Sequence, residues 1–261
     1  MVILLKHHHE RPNSLPYEYF IYLALGAAAG GFINGLAGFG TALLALGFWL
    51  QIMSPIAAVS TSLIMSVVSG PQGAWLVRKT ILKQPKRMAR FLIPGIIGMP
   101  IGVSVLAIIE PHYLKITVGC IMVLYGGFFS LKQSIPKINY PTPIIDGIVG
   151  FIGGMLGGAA ALSGTLPTMW CAMRSWTKIE IRAVLQPYNI VVLALAALLL
   201  ASRGHYTWDI LKQIMMALPI TMLFSQIGIF FFKRLTDDQF RRLLVTLMLL
   251  SGVILLTKEA L

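Results

Sequence analysis

YFIYLALGAAAGGFINGLAGFGTALLALGFWLQIMSPIAAVSTSLIMSVVSGPQGAWLV (residues 19–77) runs for 59 positions without a charged side chain, bounded by Glu18 and Arg78. The hydrocarbon core of a bilayer takes about 20 apolar residues per helix, so this stretch must enter or cross it more than once. The rest of the chain agrees. It is 57% hydrophobic and 11% charged, with a mean hydropathy of +0.80, whereas soluble domains carry about 25% charged residues because they face water everywhere. A soluble enzyme, a nucleic-acid module, a disordered chain and a secreted disulfide scaffold are excluded. The chain reads as an all-α polytopic membrane protein.

Working outward, the remaining uncharged runs are Phe91–Ile109, Ile116–Leu131, Gly147–Met173, Ala183–Ser202, Gln213–Phe232 and Leu243–Thr257. Most match one tilted helix each. Two segments do not. Tyr19 to Met53 would measure about 52 Å as a single helix, against a hydrocarbon core of about 30 Å. Ile144 to Met173 is also overlong, and both are rich in glycine near their middles. Each is read as two half-length arms meeting at a break inside the membrane.

The two segments are related by an internal repeat. Gly31-Phe32-Ile33-Asn34-Gly35-Leu36 matches Gly150-Phe151-Ile152-Gly153-Gly154-Met155. Further on, Pro94 pairs with Pro219, Gly102 with Gly228, Met122 with Met248, Gly126 with Gly252 and Lys132 with Lys258. Preserved order over successive elements indicates a duplication. The organisation expected is a polar N-terminal segment (1–18), a first transmembrane repeat (19–137) and a second (138–261).

The charges orient these halves. The net charge is +12, and the basic residues gather in short segments between apolar runs, as in cytoplasmic loops. If both long segments cross once, the 21 Lys and Arg divide 13 to 8 between the two sides; if each is a hairpin returning to its own side, they divide 15 to 6. The richer side then holds the loops 78–90, 132–143, 171–182 and 233–242. The positive-inside rule prefers this second arrangement, with both termini outside. Each half is then a broken-helix hairpin plus three transmembrane helices, and the odd count makes the halves inverted repeats, a design of many secondary transporters.

Unwound backbone at membrane depth is tolerated where protein buries it or a cavity meets it. There, free N–H groups and the positive end of a half-helix attract an anion. The candidate ligands at the two breaks are Asn34, Gly38, Gly40 and Thr41 in the first, and Gly157, Gly158 and Ser163, with Thr165 beyond, in the second. The competing reading is close helix packing of the GxxxG kind, which Gly31…Gly35 and Gly150…Gly154 spell. A polar cluster follows each hairpin: Ser60-Thr61-Ser62, then Gln186-Pro187-Tyr188-Asn189. Matching Ala58 to Ala183 puts Thr61 opposite Gln186. Neutral donors such as Thr61, Ser62, Gln186, Tyr188 and Asn189 orient an oxyanion and still release it; interhelical hydrogen bonding is the alternative.

Other chemistry lacks its residues. None of the nine carboxylates falls within an expected span, and His112 and His205 sit at loop ends. Carboxylate proton relays, intramembrane metal centres and Ser-His-Asp or Cys-His hydrolysis have no raw material, so neither an enzyme nor a cofactor is expected. Arg182, beside the second polar cluster, reads first as a headgroup residue, with attraction of anions towards the cytoplasmic mouth as the alternative. Cys120 and Cys171 read as small packing residues, and the adjacent His7, His8 and His9 as incidental rather than as a metal site.

In these duplicated glycine motifs, in Ala58-Val59-Ser60-Thr61-Ser62 and in Pro94…Gly98…Gly102, the chain resembles the sulfite exporter TauE/SafE family, also called the TSUP transporters, over about residues 20–257. The resemblance implies export or import of sulfur-containing anions such as sulfite, thiosulfate, sulfoacetate or related organosulfonates across a bacterial inner (cell) membrane. Gln186-Pro187-Tyr188-Asn189 departs from the family's commoner Gly-Thr-Ser. The partners expected are a small anionic substrate, the lipid bilayer and a coupling ion (proton or sodium), with no nucleic acid; a homodimer is left open. A passive anion channel and a substrate-free membrane scaffold or assembly factor are the competing functions.

Overall fold

The computed structural model describes residues 16–106, 111–131 and 138–260. His7, His8 and His9 lie outside them, as do Lys6, Arg11, Lys132 and Lys137. The described residues form ten helices: α1 (Pro16–Ala37), α2 (Thr41–Trp49), α3 (Pro55–Lys83), α4 (Pro85–Leu106), α5 (Pro111–Leu131), α6 (Pro143–Ala160), α7 (Thr165–Ala172), α8 (Lys178–Ser202), α9 (Trp208–Arg234) and α10 (Asp237–Ala260). No strand is found among them, only an isolated bridge from Ile138 to Arg174. Five helices, α1, α4, α6, α8 and α9, are long and apolar enough to cross a membrane. The protein is an all-α polytopic membrane protein.

Local sequence sets the helix starts. Ser54 caps α3, its side chain accepting from the Ala57 N–H at 3.4 Å, with Pro55 at the first helical position where no donor is required. Thr177 and Glu180 form a reciprocal capping box at the start of α8. Within α3, Ser60, Thr61, Ser62, Ser66 and Ser69 are all buried, so these hydroxyl side chains face protein.

Both overlong segments turn back on themselves. In the first, a Cβ on Gly30 would press on Thr41 and Ala45 and one on Gly26 on the Trp49 ring, and Trp49 Nε1 donates to Leu23 O at 3.2 Å. In the second, Gly157 faces Ser163, Gly153 faces Pro167, and Trp170 Nε1 donates to Asp146 Oδ1 at 2.7 Å. The arms differ from the half-length expectation. α1 has 22 residues and α2 only 9, α6 has 18 and α7 only 8. At 1.5 Å per residue α1 reaches about 33 Å and α2 about 13 Å. The helix breaks where the backbone turns left-handed, at Gly38 and at Ala161, and both positions fall late in their segments.

The connections α3–α4, α5–α6, α7–α8 and α9–α10 gather on one face. Arg87 pairs with Glu180 at 3.1 Å, Arg90 approaches Asp146 at 3.9 Å, and Asp237 Oδ1 accepts from the Lys178 N–H at 3.0 Å. On the opposite face, Tyr206 of the α8–α9 link donates to Ser60 O at 3.2 Å, and Met53 packs in one cluster with Leu23, Trp49, Ile210 and Ile214. The first hairpin opens towards this second face. The second hairpin, tied to Arg90 through Asp146, opens towards the basic one.

Packing crosses between the two halves of the chain: α1 lies along α9, α4 along α6, α3 along α8 and α5 along α10. Glycine makes the first two approaches close. Gly31 and Gly35 face the Thr221 and Ser225 backbone, as Gly154 and Gly158 face that of Gly95 and Met99. Likewise Gly228 faces Phe32, and Gly102 faces Met155. Gly150 continues this seam one turn earlier, against the Phe91 backbone. A Cβ on Gly102 would collide with the Met155 carbonyl. Gly102→Leu should accordingly lower stability by about 3 kcal/mol or more, read as a lower unfolding temperature and loss of monodisperse protein in detergent.

Candidate functional site

Gly38 (φ +84°) and Gly40 (φ +92°) turn the chain between α1 and α2 in a conformation that any Cβ would oppose. At the second break the corresponding turn is made by Ala161 at φ +56°, a strain of about 1–2 kcal/mol held by the hydrogen bonds from its own N–H to Gly157 O (2.9 Å) and from the Leu162 N–H to Leu156 O (3.2 Å). The returning helices then start alike. Gly40 precedes Thr41 at the head of α2, and Gly164 precedes Thr165 at the head of α7; neither start has a side-chain cap. Both threonines are buried, and neither hydroxyl has a hydrogen-bond partner. Two helix N-termini, each the positive end of a dipole, thus begin inside the protein with an unengaged donor beside them.

The two tips touch. Phe39, buried between the two glycines of the first break, lies over Gly164 of the second, where an added Cβ would stand 2.5 Å from the Phe39 Cβ. Asn189 of α8 joins them: its Nδ2 donates to Gly38 O at 3.2 Å, and its Oδ1 accepts from Ser163 Oγ at 2.6 Å. Because a carbonyl can only accept and this carboxamide oxygen takes a hydroxyl proton, the pair of bonds fixes which way the amide points. Gln186, one turn earlier on α8, donates from Nε2 to Gly70 O at 3.1 Å, and its Oε1 lies against Gly38 and Gly73. Asn34 donates to Ser69 Oγ at 2.6 Å and holds α1 to α3 just before the break.

Of the expected ligands, the structure brings together Asn34, Gly38, Gly40, Thr41, Gly157, Ser163, Gln186 and Asn189 around the breaks. Thr61 and Ser62 are buried on α3 with unpartnered hydroxyls. Gly158 and Tyr188 belong elsewhere. Gly158 sits in the α4–α6 seam against the backbone of Met99 and Val103, so close packing claims it. The Tyr188 ring covers Gly95 and Gly153, and its hydroxyl donates to Gly150 O at 2.7 Å, which makes it a strut between α8, α4 and α6. Thr165 heads α7 as Thr41 heads α2, equally buried.

Two charges contradict the expectation that spans hold none. Asp146 lies inside α6, 1% exposed, because Arg174 returns to it from the end of α7 at 3.1 Å. Arg182 is fully buried, not placed at the headgroups. Its Nε donates to Gln186 Oε1 at 3.1 Å, its Nη1 reaches Leu36 O at 3.4 Å, and its guanidinium carbon stands 4.4 Å from the centre of the Phe232 ring. Its position five residues past the Thr177 cap is the one signal for burial in the sequence, since a helix start there puts it more than a turn inside. Counted the same way from Ser54, the first half has Val59 where the second has Arg182, and Ser66 where it has Asn189.

No curated protein and no solved structure matches the chain. The family model for the sulfite exporter TauE/SafE matches residues 22–255, which takes in both breaks, all of α4, α6, α8 and α9, most of α1, and the polar residues of α3 and α8. The protein is an integral membrane protein, and it belongs to the sulfite exporter TauE/SafE family.

Proposed function

We propose that the protein is a secondary transporter of small sulfur-containing anions (sulfite, thiosulfate, sulfoacetate or a related organosulfonate) that binds its substrate between the two hairpin tips. The observation that carries this reading is the pair of uncapped, buried helix N-termini at Gly40-Thr41 and Gly164-Thr165, each with an unengaged hydroxyl. Backbone N–H groups at such termini bind anions. The family membership agrees with an anion as cargo.

The two halves, 19–137 and 138–261, act as inverted repeats, the basic face lies in the cytoplasm and both termini lie outside, in a bacterial inner membrane. Hairpins that open to opposite faces and the reciprocal pairing of α1 with α9 and α4 with α6 support this. Phe39 over Gly164 closes the space between the tips, and rocking of one half against the other parts them towards alternate sides. A coupling proton or sodium ion is tested in the same vesicles by imposing each gradient in turn.

The deciding experiment is uptake of labelled sulfite, thiosulfate and sulfoacetate into vesicles holding the purified protein, with Thr41→Val and Thr165→Val beside the wild type. Each substitution removes an unengaged buried hydroxyl, so unfolding temperature should hold or rise while half-saturation for the transported anion rises about tenfold. Equal saturation in all three proteins removes the tips from the binding site. An assembly scaffold, the reading that the close glycine seams favour, predicts no uptake and no anion-dependent stabilisation at all.

A further inference from the structure

The position of Arg182 is chemically incomplete. A guanidinium presents five N–H donors and no acceptor. Two directions are taken, by Gln186 Oε1 and, at a longer distance, by Leu36 O; Nη2 is buried with no partner. Its surroundings supply no negative charge. Among the described residues Arg182 makes no ion pair, and Glu180, two residues earlier on α8, is engaged by Arg87 and by the Thr177 cap. Withdrawing a charge from water without a counter-ion costs several kcal/mol even after relaxation. The Phe232 face and the carbonyl end of α1 offset part of that. By contrast Arg174, the other buried arginine, has a carboxylate at 3.1 Å.

The location of the gap matters as much as its existence. Arg182 stands where α1, α3, α8 and α9 converge, against Leu36, Gly73, Gln186 and Phe232. A Cβ on Gly73 would lie 2.5 Å from Nη2, so only glycine leaves the guanidinium room there. Gly38, the first residue of the break, lies against both the Arg182 stem and the Gln186 amide. Three residues on is Thr41, with its own unengaged hydroxyl and the N-terminus of α2. Val59 at the matching place in the first half gives no second charge.

We infer that Arg182 is the fixed positive charge of the transport site, whose missing counter-ion is the substrate's own oxyanion head group. Gln186 acts through it as a positioning residue, holding Nε so that Nη2 stays directed away from α8's own carbonyls. This deepens the transporter reading and rests on it. One consequence is that the empty protein bears a desolvated charge that the loaded protein does not. Binding therefore stabilises the fold, and neutral sulfur oxides of similar shape are rejected.

The test is thermal unfolding of the full chain in detergent with sodium sulfite, sodium thiosulfate or sodium methanesulfonate, against sodium gluconate for ionic strength and dimethyl sulfone as the neutral probe. Wild type should be stabilised by at least one of the three sulfur anions and not by the sulfone. Arg182→Met should unfold, without anion, at the wild-type temperature or above. The anion concentration giving half the stabilisation should rise by on the order of 10- to 100-fold. A purely structural arginine gives the reverse: Arg182→Met unfolds early and keeps the wild-type anion response. That pattern overturns the proposal and leaves the hairpin tips as the site. If Arg182→Met does not fold, Arg182→Lys decides, since it keeps the charge and loses the planar fork. Its half-effect concentration should rise, and an unchanged value overturns the inference. No response of wild type to any of the three anions, with no uptake in vesicles, removes the transporter reading and this inference together.

Discussion

Asp146→Ala should lower the stability of the folded chain by about 3–5 kcal/mol, the cost of leaving a buried partner charge uncompensated. The carboxylate is 1% exposed and Oδ1 receives three donors: Trp170 Nε1 at 2.7 Å, Arg174 Nη2 at 3.1 Å and Thr142 Oγ1 at 3.3 Å. Arg174, itself 3% exposed, also donates to Tyr140 O at 2.7 Å and to Thr142 Oγ1 at 2.5 Å, while its Nε is buried without a partner among the described residues. These bonds tie the first turn of α6 to the end of α7, which is the open mouth of the second hairpin. Removing the carboxylate strands the guanidinium and unlatches the mouth. A lower unfolding temperature and poor recovery of monodisperse protein would register it. The double substitution Asp146→Leu with Arg174→Met should recover most of the loss, because replacing both members of a buried pair with apolar groups is far cheaper than removing one. A double variant as unstable as Asp146→Ala alone would mean that hairpin geometry, not charge balance, depends on these residues.

The second large effect falls on transport. Asn189→Leu should fold and yet lose at least about 100-fold in uptake rate. The side chain is 4% exposed and makes the two bonds that join the tips, to Gly38 O and from Ser163 Oγ. Leucine matches its branching and heavy-atom count and supplies neither. The stability loss should stay near 1–3 kcal/mol, the penalty for leaving one buried carbonyl and one buried hydroxyl without partners. A 100-fold loss of rate corresponds to about 2.7 kcal/mol in the barrier, which misplacement of two facing tips readily supplies. Comparing folded yield with uptake in the same preparation separates the two effects. Wild-type uptake from a folded Asn189→Leu protein would show that the tips work independently.

How much of this was legible in the chain differs from element to element. The hairpins were legible because two independent quantities pointed to them: segment length against bilayer thickness, and the division of lysine and arginine between the faces. Gly38 and Gly40 were legible as a break because repeated glycine is costly in a helix interior. The unequal arms were not, since length alone places no turn, and the second turn is made by Ala161, whose sequence carries no such signal. The glycine seams were legible as spacing and not as pairing: Gly150, Gly154 and Gly158 recur every fourth residue, and only the folded bundle sets them against Phe91, Gly95 and Met99.

Gly158 and Tyr188 show the same limit at the site. Glycine beside a break and tyrosine beside asparagine suit a ligand role and a packing role equally in the linear chain. The direction each residue faces on its helix decides between them, and neighbouring helices set that direction. Arg182 shows it most sharply. Basic residues near a helix end usually reach the headgroups, and only the five-residue distance of Arg182 from the Thr177 cap argues against that. The closing of α1, α3 and α9 around α8 buries it.

The sequence by itself determined that this protein lives in a membrane as helices and that two of its segments break. Those are properties of hydrophobicity, length and glycine content, which act locally along the chain. The tertiary structure alone decided which tips meet, which hydroxyls stay unengaged, and that a single arginine is enclosed beside them without a carboxylate. These depend on helix rotation and on pairings between residues far apart in the chain, such as Thr221 with Ala27, 194 positions away. Burial and the choice of partner are properties of the assembled bundle, and they enclose a basic side chain near a helix end beside the first hairpin break.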